Sequence, residues 1–209
     1  GVPGAGKSTF MKLIMREEKA NTGTIFVNDF NLTKMRRRNI PKLRRTMGIV
    51  FQDFRLIPTM TAFENVAFAL RLKKVPEDEI VRRVKEMLEM VSLKGFERKN
   101  VNLLSGGQQQ RCMIAMALAA QPDLLVADEP TTALDVTTQK QVLELIDTLA
   151  DETGMAVLLI THNLGLVAGR MDEVFVMYAG ETVESGPVTE VLAAPRHPYT
   201  RRLLAAVPA

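Results

Sequence analysis

The first nine residues, Gly1-Val2-Pro3-Gly4-Ala5-Gly6-Lys7-Ser8-Thr9, have the types and spacing that phosphate chemistry needs. They match the pattern G-x-x-x-x-G-K-[ST], in which glycines turn the backbone tightly and aim successive N–H groups at phosphate oxygens. The helix that follows presents its positive amino end to the same anion. Lys7 has the length and charge to reach β- and γ-phosphates, and the Ser8 hydroxyl can ligate Mg²⁺. With glycine at about 7% of residues, the four fixed positions recur by chance about once in a hundred chains of this length. A bare glycine-rich turn is therefore the weaker reading.

A second run, Leu124-Leu125-Val126-Ala127-Asp128-Glu129, puts four apolar residues ahead of two carboxylates. It suits a buried strand whose carboxyl end is where ligands bind in open α/β sheets. There Asp128 would hold Mg²⁺, often through water, and Glu129 would orient or deprotonate an attacking water. Adjacent acids usually just begin a solvated loop, but beside the Lys7 loop the chemical reading is stronger. Ser105, Gly106 and Gly107 stand just before a helix, so their N–H groups and the helix dipole make a second anion-binding end. Alone, these three read as a flexible turn. Gln52 and His162 each follow an apolar strand, where a lone polar residue is more often structural. His162 nonetheless stands at the edge where it can touch a γ-phosphate and stabilise charge beside Glu129.

Positioning these groups takes alternating elements. Helical patterns cover 8–15, 62–72, 77–91, 108–120 and 139–150, and short strands cover 24–27, 47–51, 124–127, 156–160 and 174–177. The helix over 77–91 has Pro76 at its start, Glu77, Asp78 and Glu79 in its first turn, and one apolar stripe of Ile80, Val81, Val84, Met87, Leu88 and Val91. The helix over 108–120 has few polar positions after Arg111 and is expected to be buried. Strands alternating with helices imply an α/β domain with a mainly parallel sheet. Between about 55 and 104 no strand pattern occurs, so this stretch reads as a helical insertion.

Composition narrows the class. The chain has 209 residues, 46% hydrophobic and 24% charged, which is globular rather than disordered or fibrous. The apolar stretch 154–169 is too short and, with Thr161, His162 and Asn163, too polar to span a bilayer. One cysteine, Cys112, and two histidines exclude a disulfide framework and make a zinc site improbable. Cys112 and the twelve methionines read as core packing. A soluble protein of a reducing compartment is expected. The net charge of +3 is uneven: Lys34, Arg36, Arg37, Arg38, Lys42, Arg44 and Arg45 lie in a stretch without acids, and removing those seven leaves 20 basic residues against 24 acidic. A solvated face is the first reading of that patch, a docking surface the second and nucleic acid a distant third. No aromatic residue lies between Phe30 and Phe51 to stack bases.

Leu104-Ser105-Gly106-Gly107-Gln108 resembles the signature of the ATP-binding cassette (ABC) ATPases, and the other motifs occur in that family's order. Gly1, Gly4, Ala5, Gly6, Lys7, Ser8 and Thr9 match its phosphate loop and Gln52 its Q-loop. Leu124 to Glu129 match its second nucleotide motif, Ala133-Leu134-Asp135 its D-loop, and His162 its switch histidine. The likeness covers essentially the whole chain. It implies an ATP hydrolase with ATP and Mg²⁺ as cofactors, Glu129, His162 and Gln52 as catalytic groups, and Ser8, Gln52 and Asp128 around the metal. Ser105, Gly106, Gly107, Gln108 and Asp135 would then meet ATP held by a second ABC subunit, identical or a paralogue, paired head to tail. Asn163 stands where the family usually carries an acid.

The two halves resemble different branches. Arg44 to Leu56 and Glu64 to Leu70 are similar to the bacterial cell-division ABC ATPase. Met113 to Leu118, Thr131 to Thr138, Val176 to Gly180 and His197-Pro198-Tyr199-Thr200 are similar to ATPases of oligopeptide, dipeptide and nickel importers. The resemblance implies a transport ATPase for peptides or nickel, or alternatively a cell-division ATPase that signals without transport. The same resemblance implies an integral permease or a division-site protein as membrane partner and a peripheral place at the cytoplasmic face of the inner membrane, with no nucleic acid expected. The fold expected is a P-loop NTPase, with a nucleotide-binding core of 1–54 and 111–209 and a helical subdomain of 55–110 ending in the signature. A phosphate loop ordinarily follows a strand, and here Gly1 comes first. The chain thus reads as lacking its leading strand or strands, and weak nucleotide affinity and marginal folding are expected of residues 1–209 alone.

Overall fold

A computed structural model describes residues 6–53, 55–131 and 134–206. In chain order the elements are α1 (Lys7–Ile14), β1 (Phe26–Val27), β2 (Phe30–Asn31), α2 (Ile40–Arg44), β3 (Met47–Val50), α3 (Ala62–Leu72), α4 (Glu77–Met90) and α5 (Gly106–Ala119). There follow β4 (Leu124–Asp128), α6 (Val136–Thr153), β5 (Ala156–Ile160), β6 (Glu173–Tyr178), β7 (Glu181–Pro187), α7 (Val188–Ala193) and α8 (Pro198–Ala205). They divide into two compact units, 36–159 and 1–35 with 160–209.

In the unit 36–159 the sheet runs β3-β4-β5. β3 and β4 are parallel, in register from Met47↔Leu124 to Val50↔Ala127. Leu125, Val126 and Ala127 are fully buried, as a continuous apolar run in a parallel strand should be. One core joins this sheet to α3, α4, α5 and α6 through Val50, Val66, Leu70, Ile80, Leu88, Met113, Ile114 and Ile146, among others. The insertion is helical as expected. Its entry is fixed by a capping box: the Glu64 N–H donates to Thr61 Oγ1 (3.2 Å), and the Thr61 N–H to Glu64 Oε2 (2.7 Å). Buried Asn65 accepts from the Ile57 N–H and donates to the Ile57 and Thr61 carbonyls, which shapes the turn leading into α3. Val81, expected in the buried stripe of α4, is 41% exposed. The stripe is narrower, carried by Ile80, Val84 and Leu88. The helix α5 is buried along most of its length, including Cys112, whose thiol burial pushes up to about 12.

In the other unit, β6 departs from expectation. Instead of joining the parallel sheet it forms an antiparallel hairpin with β7. Its residues alternate, with Val174 and Val176 buried and Phe175 62% exposed, so only one face is covered. Val174 and Val176 pack with Leu164, Val167, Val188 and Val191. The carboxylate of Glu184 ties α8 to this hairpin, accepting from the Arg196 N–H (2.7 Å) and the His197 N–H (3.1 Å). The Thr200 hydroxyl beside it, together with those amides, holds Glu184 below the usual carboxylate range. The Thr200 oxygen meets no good hydrogen-bond geometry, so the two amides are the firmer contacts. The only two tyrosines of the chain, Tyr178 and Tyr199, pack here at a tilt of 41° with 4.5 Å between ring centres.

Candidate nucleotide site

Gly1, Gly4 and Ala5 lie outside the described residues, as does Ala133 of the D-loop motif. Gly6 is the N-cap of α1 with φ +95°, a left-handed conformation that favours glycine. A Cβ there would also sit 3.1 Å from Gly180 Cα and 3.2 Å from Met177 Cε, at the β6–β7 turn. Among the described residues no side chain caps this end of α1 and no acid lies in its first turn. Ser8 and Thr9 are exposed and Lys7 half-buried.

In the other unit, the parallel register places Gln52 and Glu129 alike. Each stands two residues beyond the paired Val50↔Ala127, at the carboxyl end of the sheet, with Asp128 between Ala127 and Glu129. Gln52 is exposed, and Asp128 and Glu129 are half-buried. Glu129 has φ +46°, unusual for a residue with a Cβ, and costs about 1–2 kcal/mol of backbone strain. The strain turns the chain sharply at the second carboxylate. The loop is then held from α6: Gln139 Nε2 donates to the Thr131 carbonyl (2.8 Å) and to that of Leu134 (3.2 Å).

Ser105 caps α5, forming a second capping box with Gln108: the Gln108 N–H donates to Ser105 Oγ (3.3 Å) and the Ser105 N–H to Gln108 Oε1 (3.0 Å). The box fixes the turn on which Ser105 and Gly106 are exposed. Asp135 caps α6. The Thr138 N–H donates to its Oδ1 (3.0 Å) and the Thr138 hydroxyl to its Oδ2 (2.7 Å), which holds the carboxyl below its usual range. Sequence reasoning missed Thr138, although an acid at the N-cap with threonine three residues on is a capping signal. His162 is exposed, two residues past β5. Asn163 Oδ1 accepts from the Gly165 N–H (2.9 Å), a capping task an aspartate performs equally well, which accounts for asparagine at this position.

The donors Ser8, Gln52 and Asp128 offer a hydroxyl, a carboxamide and a carboxylate. Each is a hard oxygen donor of the kind Mg²⁺ takes, Ser8 in one unit and Gln52 and Asp128 in the other. Among the described residues no cluster of three His, Cys, Asp or Glu side chains could hold a metal by itself, and no helix is long and apolar enough to cross a membrane.

The chain is similar to known proteins along most of its length. The methionine import ATP-binding protein MetN 1 of Bacillus cereus is 41% identical over 206 residues, 98% of this chain and 59% of that protein. MetN of Xanthomonas campestris is 43% identical over 204 residues, 98% and 61% of the two chains. The chain thus spans about three-fifths of the length of these curated relatives. Among solved structures, cbiO1 from Clostridium perfringens, described as part of the ABC transporter complex cbiONQ, matches with TM-score 0.85 and 33% identity, over 93% of this chain and 77% of that one. The ATP-binding cassette MJ0796, in a dimeric post-hydrolysis state bound to ADP and Pi, matches with TM-score 0.78 and 33% identity, over 88% and 81%. Residues 1–132 match the ABC transporter family. The order of the motifs, the parallel strands that carry them and these likenesses agree: the chain belongs to the ABC transporter family, with its α/β P-loop NTPase fold.

Proposed function

We propose that the chain is the ATP-binding and ATP-hydrolysing part of the energising subunit of an importer. It works peripherally at the cytoplasmic face of the membrane, paired head to tail with a second ABC subunit and docked on an integral permease. Its core is 1–54 with 111–209, and 55–110 is the helical part facing the permease. The observation that carries the reading is the shared register of β3 and β4, which ends Gln52 and Glu129 at one sheet edge.

The amides of Gly6 to Thr9 and the Lys7 ammonium hold the β- and γ-phosphates. Mg²⁺, when bound at Ser8, Gln52 and Asp128, supplies neutralising charge on phosphate oxygens. Glu129 aligns a water and accepts its proton as the water oxygen bonds to the γ-phosphorus. The bond to the β–γ bridging oxygen breaks and ADP leaves. Gln52 positions that water, and His162 contacts the γ-phosphate as charge moves onto the leaving group. Ser105, Gly106, Gly107, Gln108 and Asp135 face the nucleotide of the partner. Placement and charge stabilisation supply most of the rate.

For the cargo we favour an amino acid of the methionine kind over a peptide or nickel. The relatives named for methionine import align over 98% of the chain, while the peptide- and nickel-importer likeness rests on separate stretches. The test is uptake of labelled methionine, dipeptide and Ni²⁺ by the full-length protein reconstituted with its membrane partner. Methionine uptake lost with Lys7→Ala supports the reading. ATP turnover indifferent to Lys7→Ala, or a division-site partner without a permease, overturns it.

A further inference from the structure

One threonine joins two loops that the motifs treat separately. Thr138 is half-buried at the third position of α6. Its N–H and hydroxyl hold both carboxylate oxygens of Asp135, at 3.0 and 2.7 Å. Its methyl faces the other way: a Cβ built on Gly107 would lie 2.7 Å from Thr138 Cγ2, closer than side chains approach. Gly107 is therefore glycine for a packing reason, independent of any nucleotide. A β-branched side chain has little freedom at χ1, so the hydroxyl bond to Asp135 also sets where the methyl meets Gly107. The Asp135 clamp and the Gly107 seat are made by a single rotamer. Ser105, Gly106 and Asp135 are exposed around this half-buried joint. Farther along the same two helices, Arg111 donates to Gln141.

We propose that Thr138 is a positioning residue that locks the Asp135 loop to the Ser105–Gly107 loop, so that both meet the partner subunit's nucleotide as one rigid surface. This rests on the reading that those loops face a partner's ATP.

The test is a double-mutant cycle in the full-length protein. Ser105→Ala and Asp135→Asn are measured singly and together, by ATP-dependent self-association, in wild-type and Thr138→Val backgrounds. Valine keeps the shape and removes the hydroxyl. In wild type the two losses combine non-additively, by about threefold or more; with Thr138→Val they become additive to within about twofold. Turnover by Thr138→Val falls about tenfold while KM for ATP stays nearly fixed, because ATP is gripped by the Lys7 loop. Thr138→Ser, which keeps the hydroxyl on Asp135 but loses the methyl that meets Gly107, also becomes additive, because the joint needs both groups. A purely structural threonine would lower the melting point and leave the coupling intact. Equal coupling in Thr138→Val and wild type, or additivity in wild type, overturns the inference alone. Wild type that never self-associates with ATP overturns the proposed function and this inference with it.

Discussion

Gly48 sits where β3, which leads to Gln52, comes tightly against the end of α5, which begins at the signature. A Cβ at Gly48 would lie 2.6 Å from the Ala117 carbonyl oxygen, 3.1 Å from Pro122 Cγ and 3.2 Å from the Ala117 carbonyl carbon. Ordinary carbon–oxygen contacts begin near ~3.3 Å, so Gly48→Ala forces strand and helix apart by about 0.7 Å. No rotamer can relieve this, because the obstacle is backbone and the neighbouring Val50, Met113 and Leu125 are fully buried. Overpacking of this kind costs about 1–3 kcal/mol. For a chain of this size about 2 kcal/mol lowers the thermal midpoint by about 4–8 °C. Separation of β3 from α5 also shifts Gln52 against the Ser105 turn, so ATP turnover well below the midpoint should fall as well. Circular dichroism melts of the full-length variant, with phosphate release measured in the cold, read both effects. A midpoint within about 1 °C of wild type would refute the packing argument.

Two further outcomes follow from local geometry. The folded Glu184 carboxyl is held below its ordinary value, so its contribution to docking α8 is fully present above the unfolded value near ~4.3. It is lost as pH falls through the lower folded value. The Tyr178–Tyr199 near-ultraviolet signal should therefore fade on the acid side of that window, and Glu184→Gln should remove the dependence; the same acid transition in Glu184→Gln would contradict it. Glu129→Gly, which accepts φ +46° without a Cβ but supplies no carboxylate, should abolish hydrolysis, whereas phosphate release near the wild-type rate would contradict the role given to Glu129.

Much of this was legible in the residues. The run ending in Asp128 and Glu129 could be placed because a fully buried parallel strand is apolar without interruption, and the registered pair β3–β4 follows. The insertion was visible because 55–104 shows no strand pattern and the acids after Pro76 are a helix-start signal, whereas the Thr61–Glu64 capping box went unread. β7 was not visible: in Glu181–Pro187 only Val183 is apolar, and its pairing partner is what makes it a strand. β6 showed its apolar content but not its half-exposed face, since a short apolar run does not declare which sheet it joins. α2 was hidden in the basic stretch, where Leu43 alone is buried. The motif glycines announced phosphate chemistry, but the role of Gly107 as a seat for Thr138 depends on a contact 31 positions away that no local pattern encodes.

The central claim is that ATP is closed between the Lys7 loop of one copy and the Ser105 cap of its neighbour. Analytical ultracentrifugation of full-length Glu129→Gln tests it most directly. The account predicts dimers with ATP and Mg²⁺, monomers with ADP, and monomers again when Lys7→Ala or Ser105→Ala is added. A Glu129→Gln protein whose sedimentation is the same with ATP, with ADP and without nucleotide would contradict it.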